Sequence, residues 1–404
     1  MKLVQFGAGN IGRSFIGQIF ARSGWEVVFI DIDKRVIDEL NRRGHYIVEV
    51  RDKRPERLII ENVRGVNAEQ VEKVAQEIAT ADLISTSVGK KALPSVIPSI
   101  ARGIEKRYEL YGLKPIDILI CENIVEGGKF FYEGLKKVLP ENFPLDEMVG
   151  LVETSIGKMV PIMPEDVRKK DPLLIYAEAF NTLIADKKGF KSSPPDIPFL
   201  SLKENMKAYV DKKLYIHNLG HAVLAYTSFY FCPGYRYIWE AAEDKRIRGF
   251  ARSAMWESGN SLIKKYPEEF TREFISEDIE SLIERFKNRM LGDTIFRVGR
   301  DLYRKLGRED RLVGGMYLCD SLGIEPRCIA LGYACALFFK ATDDEGKMFE
   351  GDRKFHEKEM PRGLDYVLEK ISGIDKESIK SIIRSYYNKL LQNPKIEDFS
   401  FCYG

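Results

Sequence analysis

The chain has 404 residues, of which 44% are hydrophobic and 11% aromatic, so it can bury a sizeable core and suits two domains, or one large α/β domain with an elaborated second half. Lys and Arg number 63 against 61 Asp and Glu, a formal net charge of +2, which lacks the basic excess of a nucleic-acid binder. The longest nearly unbroken apolar stretch, 328–339, is too short to cross a bilayer and reads as a buried core helix, and neither an export signal nor a CxxC pair is present. No membrane partner is therefore expected, and the six cysteines read as free core thiols of a cytoplasmic protein.

In chain order, β-branched or apolar runs at 2–6, 26–31, 46–50, 82–86, 117–121 and 149–152 read as strands. Segments of helical period lie between several of them, as at 11–23 and 68–78. This alternation predicts a parallel sheet covered by helices. Residues 58–63 predict an extra strand pairing with 46–50. The stretch 188–199, KGFKSSPPDIPF, breaks every periodicity and reads as a linker or crossing segment. Beyond it helical repeats dominate: 202–231, 241–265, 276–288, 327–340, 363–371 and 377–391. The acidic stretch 343–352 predicts a surface loop. The fold class expected is α/β, with an N-terminal doubly wound sheet of Rossmann type at 1–195 and a mostly α-helical domain at 196–404.

Gly7-Ala8-Gly9-Asn10-Ile11-Gly12 follows the first strand and opens a helix. Gly7 permits the tight turn, Gly9 lets a pyrophosphate approach the backbone, and Gly12 lets the helix pack on the strand. The helix N-terminus then offers N–H groups and a positive dipole end to phosphate. Asp31 closes the second strand 19 residues past Gly12, the position of a carboxylate that grips a ribose diol. It accepts hydroxyls and repels a 2′-phosphate, so NAD is expected as cofactor; Arg35 reads as a solvated helix charge. Phe6, Asn10 and Ile11 complete the expected contacts around the turn. Ser87 and Val88 follow another strand, and Glu122 and Asn123 end a further one. Ligands of open parallel sheets sit beyond strand C-terminal ends, so these turns are placed toward the cofactor, and Asn123 toward the substrate too.

The segment Lys213-Leu-Tyr-Ile-His217-Asn218-Leu-Gly-His221 gathers polar groups on one helical face. At 100° per residue, Lys213, Asn218 and His221 fall at about 0°, 140° and 80°, with His217 near 40° in the same arc. Geometry therefore does not choose between the histidines. Removing hydride from an alcohol needs a base for the hydroxyl proton and donors for the developing oxyanion, which Lys, Asn and His supply without metal. The four histidines of the chain include no H-E-x-x-H pair, and no metal is expected. Finally, 297–311 carries Arg297, Arg300, Arg304, Lys305, Arg308 and Arg311 with three acids, a grouping suited to phosphate or carboxylate.

Several of these stretches carry a resemblance: FGAGNIGRSFIG at 6–17, STSVG at 85–89, CEN at 121–123, KLYIHNLGHA at 213–222, ESGNSLIKKY at 257–266 and RVGRDLYRKLGREDRL at 297–312. Together they resemble the polyol-specific long-chain dehydrogenase family from residue 1 to about 390. The resemblance implies a Rossmann-type domain, a helical domain, an active site between them, no metal, and a weak tilt toward a monomer. Its K-x4-N-x2-H pattern selects Lys213 as general base with Asn218 and His221 stabilising the reacting oxygen, and leaves His217 outside. It implies a small-molecule substrate, a polyol phosphate exchanged with a ketose phosphate, foremost D-mannitol 1-phosphate and D-fructose 6-phosphate. A hexuronate or an unphosphorylated polyol is the alternative within the family, and a dinucleotide-binding sensor the alternative outside it. Arg300, Arg304 and Arg308 become candidates for the substrate anion, without spacing choosing among them. One departure stands out. Where relatives carry an Asp-Arg pair before an apolar pair and proline, this chain has Gly157-Lys158. Lys158 is then the substrate candidate there, and Glu153 a candidate to replace the missing carboxylate.

Overall fold

The computed structural model describes residues 1–124, 126–161 and 163–402. Two compact units emerge, Met1–Met206 and Lys207–Gly404.

Among its described residues the first unit holds eleven strands: β1 (Lys2–Phe6), β2 (Glu26–Asp31), β3 (His45–Val50), β4 (Glu56–Glu61), β5 (Val63–Asn67), β6 (Leu83–Thr86), β7 (Ile116–Ile120), β8 (Val149–Ser155), β9 (Ile175–Ala177), β10 (Leu183–Asp186) and β11 (Leu200–Lys203). Eight form the main sheet, in the order β11-β10-β8-β7-β6-β1-β2-β5. All neighbours run parallel except β10 against β8. Such a sheet must be covered on both faces, and alternation along the strands accomplishes it. Leu3, Val27 and Phe29 enter one apolar cluster with Phe15, Ile16 and Ile19, while Val4, Val28 and Ile30 enter the other with Val74, Ile78 and Ile100.

The run 46–50 is not part of this sheet. It lies in β3, the centre of a three-stranded sheet with β4 antiparallel and β9 parallel, and its Tyr46 and Val48 pack onto the first cluster. The predicted pairing with the following hairpin strand is present, Tyr46 opposite Ile60 and Val48 opposite Leu58. The third strand on that side of the main sheet is instead β5, joined to β4 through Asn62 in a left-handed conformation (φ 60°). A single residue carries the chain from one sheet to the other, which is why no turn signal separates β4 from β5 in the sequence.

The proline-rich crossing segment is pinned to the sheet. The carboxylate of buried Asp117 on β7 accepts the N–H groups of Lys191 (2.7 Å) and Ser192 (3.1 Å). Gly150 on β8 makes room for that carboxylate. The chain then adds β11 to the sheet beside β10, so the first compact unit runs to Met206, beyond the crossing segment itself.

No strand follows Lys203 among the described residues. The second unit is built around Leu219–Phe231, which packs against Lys245–Lys265, Arg327–Ala336 and Ile295–Gly299. Cys328 to Ala336 are all buried, as expected of a core helix. Cys121, Cys232, Cys319 and Cys335 are free thiols, but Cys328 is disulfide-bonded, contrary to the all-thiol expectation. No helix is long and apolar enough to cross a membrane among the described residues.

A methyl group at Gly150 would stand 1.9 Å from Asp117 Oδ1 and 2.7 Å from the Gly189 carbonyl oxygen. Gly150→Ala is therefore expected to destabilise the first unit by about 1–3 kcal/mol through overpacking. Urea unfolding read by circular dichroism checks this, and an unchanged midpoint would contradict the pinning.

Candidate functional site

In the first unit the chain reverses its winding between β1 and β6, the position where open α/β sheets leave a crevice at their strand ends. The glycine turn lies there. Gly7 has φ +93°, and a Cβ on it would stand 2.6 Å from the Ser87 carbonyl oxygen, so only glycine lets the turn after β1 lie against the turn after β6. At Gly12 a Cβ would meet the Gly7 carbonyl oxygen at 1.9 Å, which closes the helix onto the strand. Gly9 is different: nothing lies within 4 Å of its Cβ position, and Gly9 and Asn10 are exposed. That open space at the start of a helix fits a pyrophosphate, whose oxygens meet first-turn N–H groups that lack intrahelical partners.

Buried charges hold this loop. Arg13 sends Nε to the Ala8 carbonyl (2.6 Å) and Nη1 to the Pro172 carbonyl (2.7 Å). Burial lowers its pKa, against the pull of Tyr46 and Asp31. Asp31 accepts the Ala8 N–H (2.6 Å) and the Asp33 N–H (2.9 Å) and remains partly exposed at the end of β2. Arg35, read as a solvated helix charge, is exposed on the helix Lys34–Arg43 and also donates to the Lys169 carbonyl (2.6 Å). Phe6 is buried in the core, and its carbonyl accepts the Ser87 N–H (2.9 Å). Ile11 packs partly against the core, and the Val88 side chain approaches Gly7.

Glu122 has a task the sequence reading did not assign. Its carboxylate accepts the N–H groups of Val88 (2.7 Å) and Gly89 (2.9 Å), clasping the turn after β6 from the end of β7. Burial raises its pKa while those two hydrogen bonds oppose the rise. Asn123, next in the chain, is exposed at the same strand end. Lys158 is also committed within the fold. It is buried, and its ammonium donates to the carbonyls of Glu178 (2.9 Å) and Phe180 (2.8 Å) and to Asn181 Oδ1 (2.6 Å). These account for all three of its protons. Glu153 caps the helix Gly127–Val138 through the Gly128 N–H (2.9 Å). At Gly157 a Cβ would make only ordinary contact, 3.5 Å from the Phe180 ring.

In the second unit, Lys213–Asn218 forms a π-helical turn between Met206–Lys212 and Leu219–Phe231. In a π turn residues five apart stack, rather than four. Lys213 and Asn218 are five apart, and the extra residue counts as one lost α-helical step. Asn218 and His221 then fall at about +40° and −20° from Lys213, a far narrower arc than an unbroken α-helix allows.

Lys213 has no carboxylate partner among the described residues, whereas adjacent Lys212 pairs with Asp278 at 2.6 Å. Burial, and then the charge of Arg311, lower the Lys213 pKa to about 8. Arg311 is held in place by Asp310 (2.7 Å) and reaches the Asn218 carbonyl (3.4 Å). His221 stacks on Phe286, with ring centres 4.7 Å apart and planes 18° apart, and its Nε2 lies 3.5 Å from Asp293 Oδ2. Burial, and then Arg297, Arg311 and Lys305, push its pKa well below the ordinary value, so it is neutral. His217 is buried edge-on against Phe286 (5.7 Å).

The sequence reading did not single out Asp293 or Phe286. Asp293 is buried and pairs with Arg297 as well as facing His221. Its only sequence signal is the i,i+4 spacing to Arg297. The basic stretch is mostly spent within the fold. Arg304 pairs with Asp301 (2.6 Å) and Asp310 (3.1 Å), and Arg308 with Asp375 (3.2 Å) and the Gly373 carbonyl (2.5 Å). Lys305 is buried on the carbonyls of Val298 and Arg300, with its pKa lowered to about 7, chiefly by burial. Among the described residues no group of three or more His, Cys, Asp or Glu side chains is arranged to hold a metal ion.

The open glycine turn at the strand ends of a doubly wound sheet, and a lysine with a lowered pKa on one helical face with an amide and a neutral imidazole, are the kinds of part an alcohol-oxidising dehydrogenase uses. The mannitol dehydrogenase Rossmann domain matches residues 1–199, and the mannitol dehydrogenase C-terminal domain matches residues 205–397. The chain belongs to the mannitol dehydrogenase family and is a dehydrogenase of CH–OH groups. It is 35% identical over 377 residues to a mannitol-1-phosphate 5-dehydrogenase of Halalkalibacterium halodurans, covering 93% of this chain and 96% of that protein. It is 32% identical over 385 residues to one of Enterococcus faecalis, covering 95% and 97%. The fold is shared with a D-sorbitol dehydrogenase in substrate-free form (TM-score 0.73, 17% identity, 99% of this chain and 91% of the other). It is also shared with Pseudomonas fluorescens mannitol 2-dehydrogenase in a ternary complex with NAD and D-mannitol (TM-score 0.73, 15% identity, 98% and 92%).

Arg311 is the one charge that lowers the Lys213 pKa beside burial itself. Arg311→Gln is expected to move the alkaline rise of alcohol oxidation to higher pH, because the ammonium form loses a repelling neighbour. The pH profile of kcat/KM checks this, and an unmoved or lowered midpoint would contradict the arrangement.

Proposed function

We propose that this chain interconverts D-mannitol 1-phosphate and D-fructose 6-phosphate, with NAD as cofactor and Lys213 as general base. The observation that carries the mechanism is the half-buried Lys213 amine, without a carboxylate partner among the described residues, on the same helical face as Asn218 and His221. The relatives at 32–35% identity, which align along nearly their whole length, support the substrate.

When bound, NAD supplies the hydride acceptor, and the residues around Gly7, Gly9, Asn10, Gly12, Ser87 and Val88 would hold it. Asp31, partly exposed beside the turn, would take the ribose hydroxyls. Its charge repels a 2′-phosphate. Lys213 takes the hydroxyl proton in oxidation and returns it in reduction. Asn218 donates to the reacting oxygen as charge develops on it. His221 is held neutral chiefly by burial and then by its cationic neighbours, and it is stacked flat on Phe286, so it contributes a fixed hydrogen-bonding group rather than a second titrating base. No step requires a metal.

The pH sign follows from the Lys213 value. Oxidation needs the neutral amine, so it rises as pH increases through about 8; reduction needs the ammonium and falls over the same range. Lys213→Ala should cut the chemical step by roughly 10²–10⁴-fold while leaving dinucleotide affinity unchanged. Single-turnover hydride transfer and NADH fluorescence titration separate the two effects. Near-wild-type turnover would refute the assignment of the base.

Asp31→Ser should raise the efficiency with NADP relative to NAD, because the repelling carboxylate is gone. Comparing kcat/KM for the two cofactors in both proteins tests this. A wild-type enzyme that already prefers NADP would remove Asp31 from its role.

A further inference from the structure

The fold invests two buried charges in the backbone of the short loop that joins Ile295–Gly299 to Leu302–Lys305. Asp352, 1% exposed, accepts the N–H groups of Asp301 (3.0 Å) and Leu302 (2.7 Å). Lys305, 4% exposed, donates to the carbonyls of Val298 and Arg300 from the other side. Between them Asp301 is held at φ 78°, a left-handed conformation that a non-glycine residue keeps only when its surroundings impose it. The outward side chain of this clamped loop is Arg300. Its guanidinium lies over the rings of Phe296 (5.6 Å) and Phe349 (5.7 Å). Among the described residues it meets no carboxylate and no carbonyl, although Arg297, Arg304, Arg308 and Arg311 each have one.

Arg300 caps the C-terminal end of the short helix that carries Arg297, and Arg297 pairs with Asp293, whose Oδ2 lies 3.5 Å from His221 Nε2. Aromatic faces orient a guanidinium without consuming its donors. An exposed fork at the end of the helix that reaches His221 through Arg297 and Asp293 suits a doubly charged oxyanion at the end of a substrate opposite its reacting carbon.

We propose that Arg300 is the receptor for the substrate phosphate and determines the preference for a phosphorylated over a neutral ketose. This rests on the phosphorylated-substrate reading above. The test compares kcat/KM for D-fructose 6-phosphate and for D-fructose in the wild type and in Arg300→Gln, Arg300→Lys and Arg308→Gln, with inorganic phosphate as competing anion. Losing one charge-assisted contact should lower the phosphate-to-neutral ratio roughly 10–100-fold in Arg300→Gln, with partial recovery in Arg300→Lys. Competitive inhibition by inorganic phosphate should weaken in parallel. An unchanged melting temperature in Arg300→Gln shows that the loop still folds. If the wild type prefers the phosphorylated ketose but Arg300→Gln keeps that ratio within about twofold, or if Arg308→Gln lowers it more, the assignment to Arg300 is overturned while the substrate reading stands. If the wild type shows no preference, the substrate reading itself falls, and the proposal with it.

Discussion

Two neighbouring lysines in one helix are partnered differently, and the chemistry proposed for the second unit depends on the difference. Lys212 has Asp278; Lys213, half-buried, has no acid among the described residues and feels the charge of Arg311. An amine can act as a base near neutral pH only if the charged form is made costly, and the means used here are desolvation and a like charge. The arrangement holds only if every nearby acid is engaged elsewhere. Asp310 is taken by Arg311 and Arg304, Asp293 by Arg297, and Asp211 by Lys265 and Tyr266. The dense pairing of the basic stretch thus serves a second purpose. It holds Arg311 near Lys213, and Arg297, Arg311 and Lys305 near His221.

The first unit solves a different problem, bringing backbone close to an anionic ligand. Two glycines are required by contacts inside the protein, Gly7 against the Ser87 carbonyl and Gly12 against the Gly7 carbonyl. Gly9 is required by nothing inside, and it is where the ligand needs room. Carboxylates stiffen the surrounding turns by accepting backbone N–H groups: Asp31 from Ala8, Glu122 from Val88 and Gly89, Glu153 from Gly128. Each leaves its loop with fewer conformations to lose on binding, which favours affinity at no cost in contacts.

Much of this was legible in the amino-acid sequence. The alternation of strands and helices, the glycine turn with its acidic partner at the end of β2, the hairpin after β3, and the helical second half all arise from local periodicity and spacing, which act over a few residues. The choice of Lys213, Asn218 and His221 came from resemblance, since α-helical angles spread them widely and kept His217 among them. The angular problem was an error of helix type, because nothing in KLYIHN announces a π turn.

What the sequence by itself determined is therefore the class of fold, the glycine turn and the set of residues proposed to carry the reaction. Only the tertiary structure decided how those residues are used. It sent β3 to a second sheet and put β5 in the main one, because one left-handed residue at Asn62 can redirect a strand without any composition signal. It gave Lys158 to the carbonyls of 178 and 180 and Glu122 to a backbone clasp, and it separated Arg300 from the paired arginines around it. A charged residue in a sequence shows only that a charge is available. Which partner it meets depends on segments tens or hundreds of residues away, and burial, which sets the strength and the pKa of each pairing, exists only once those segments have packed together.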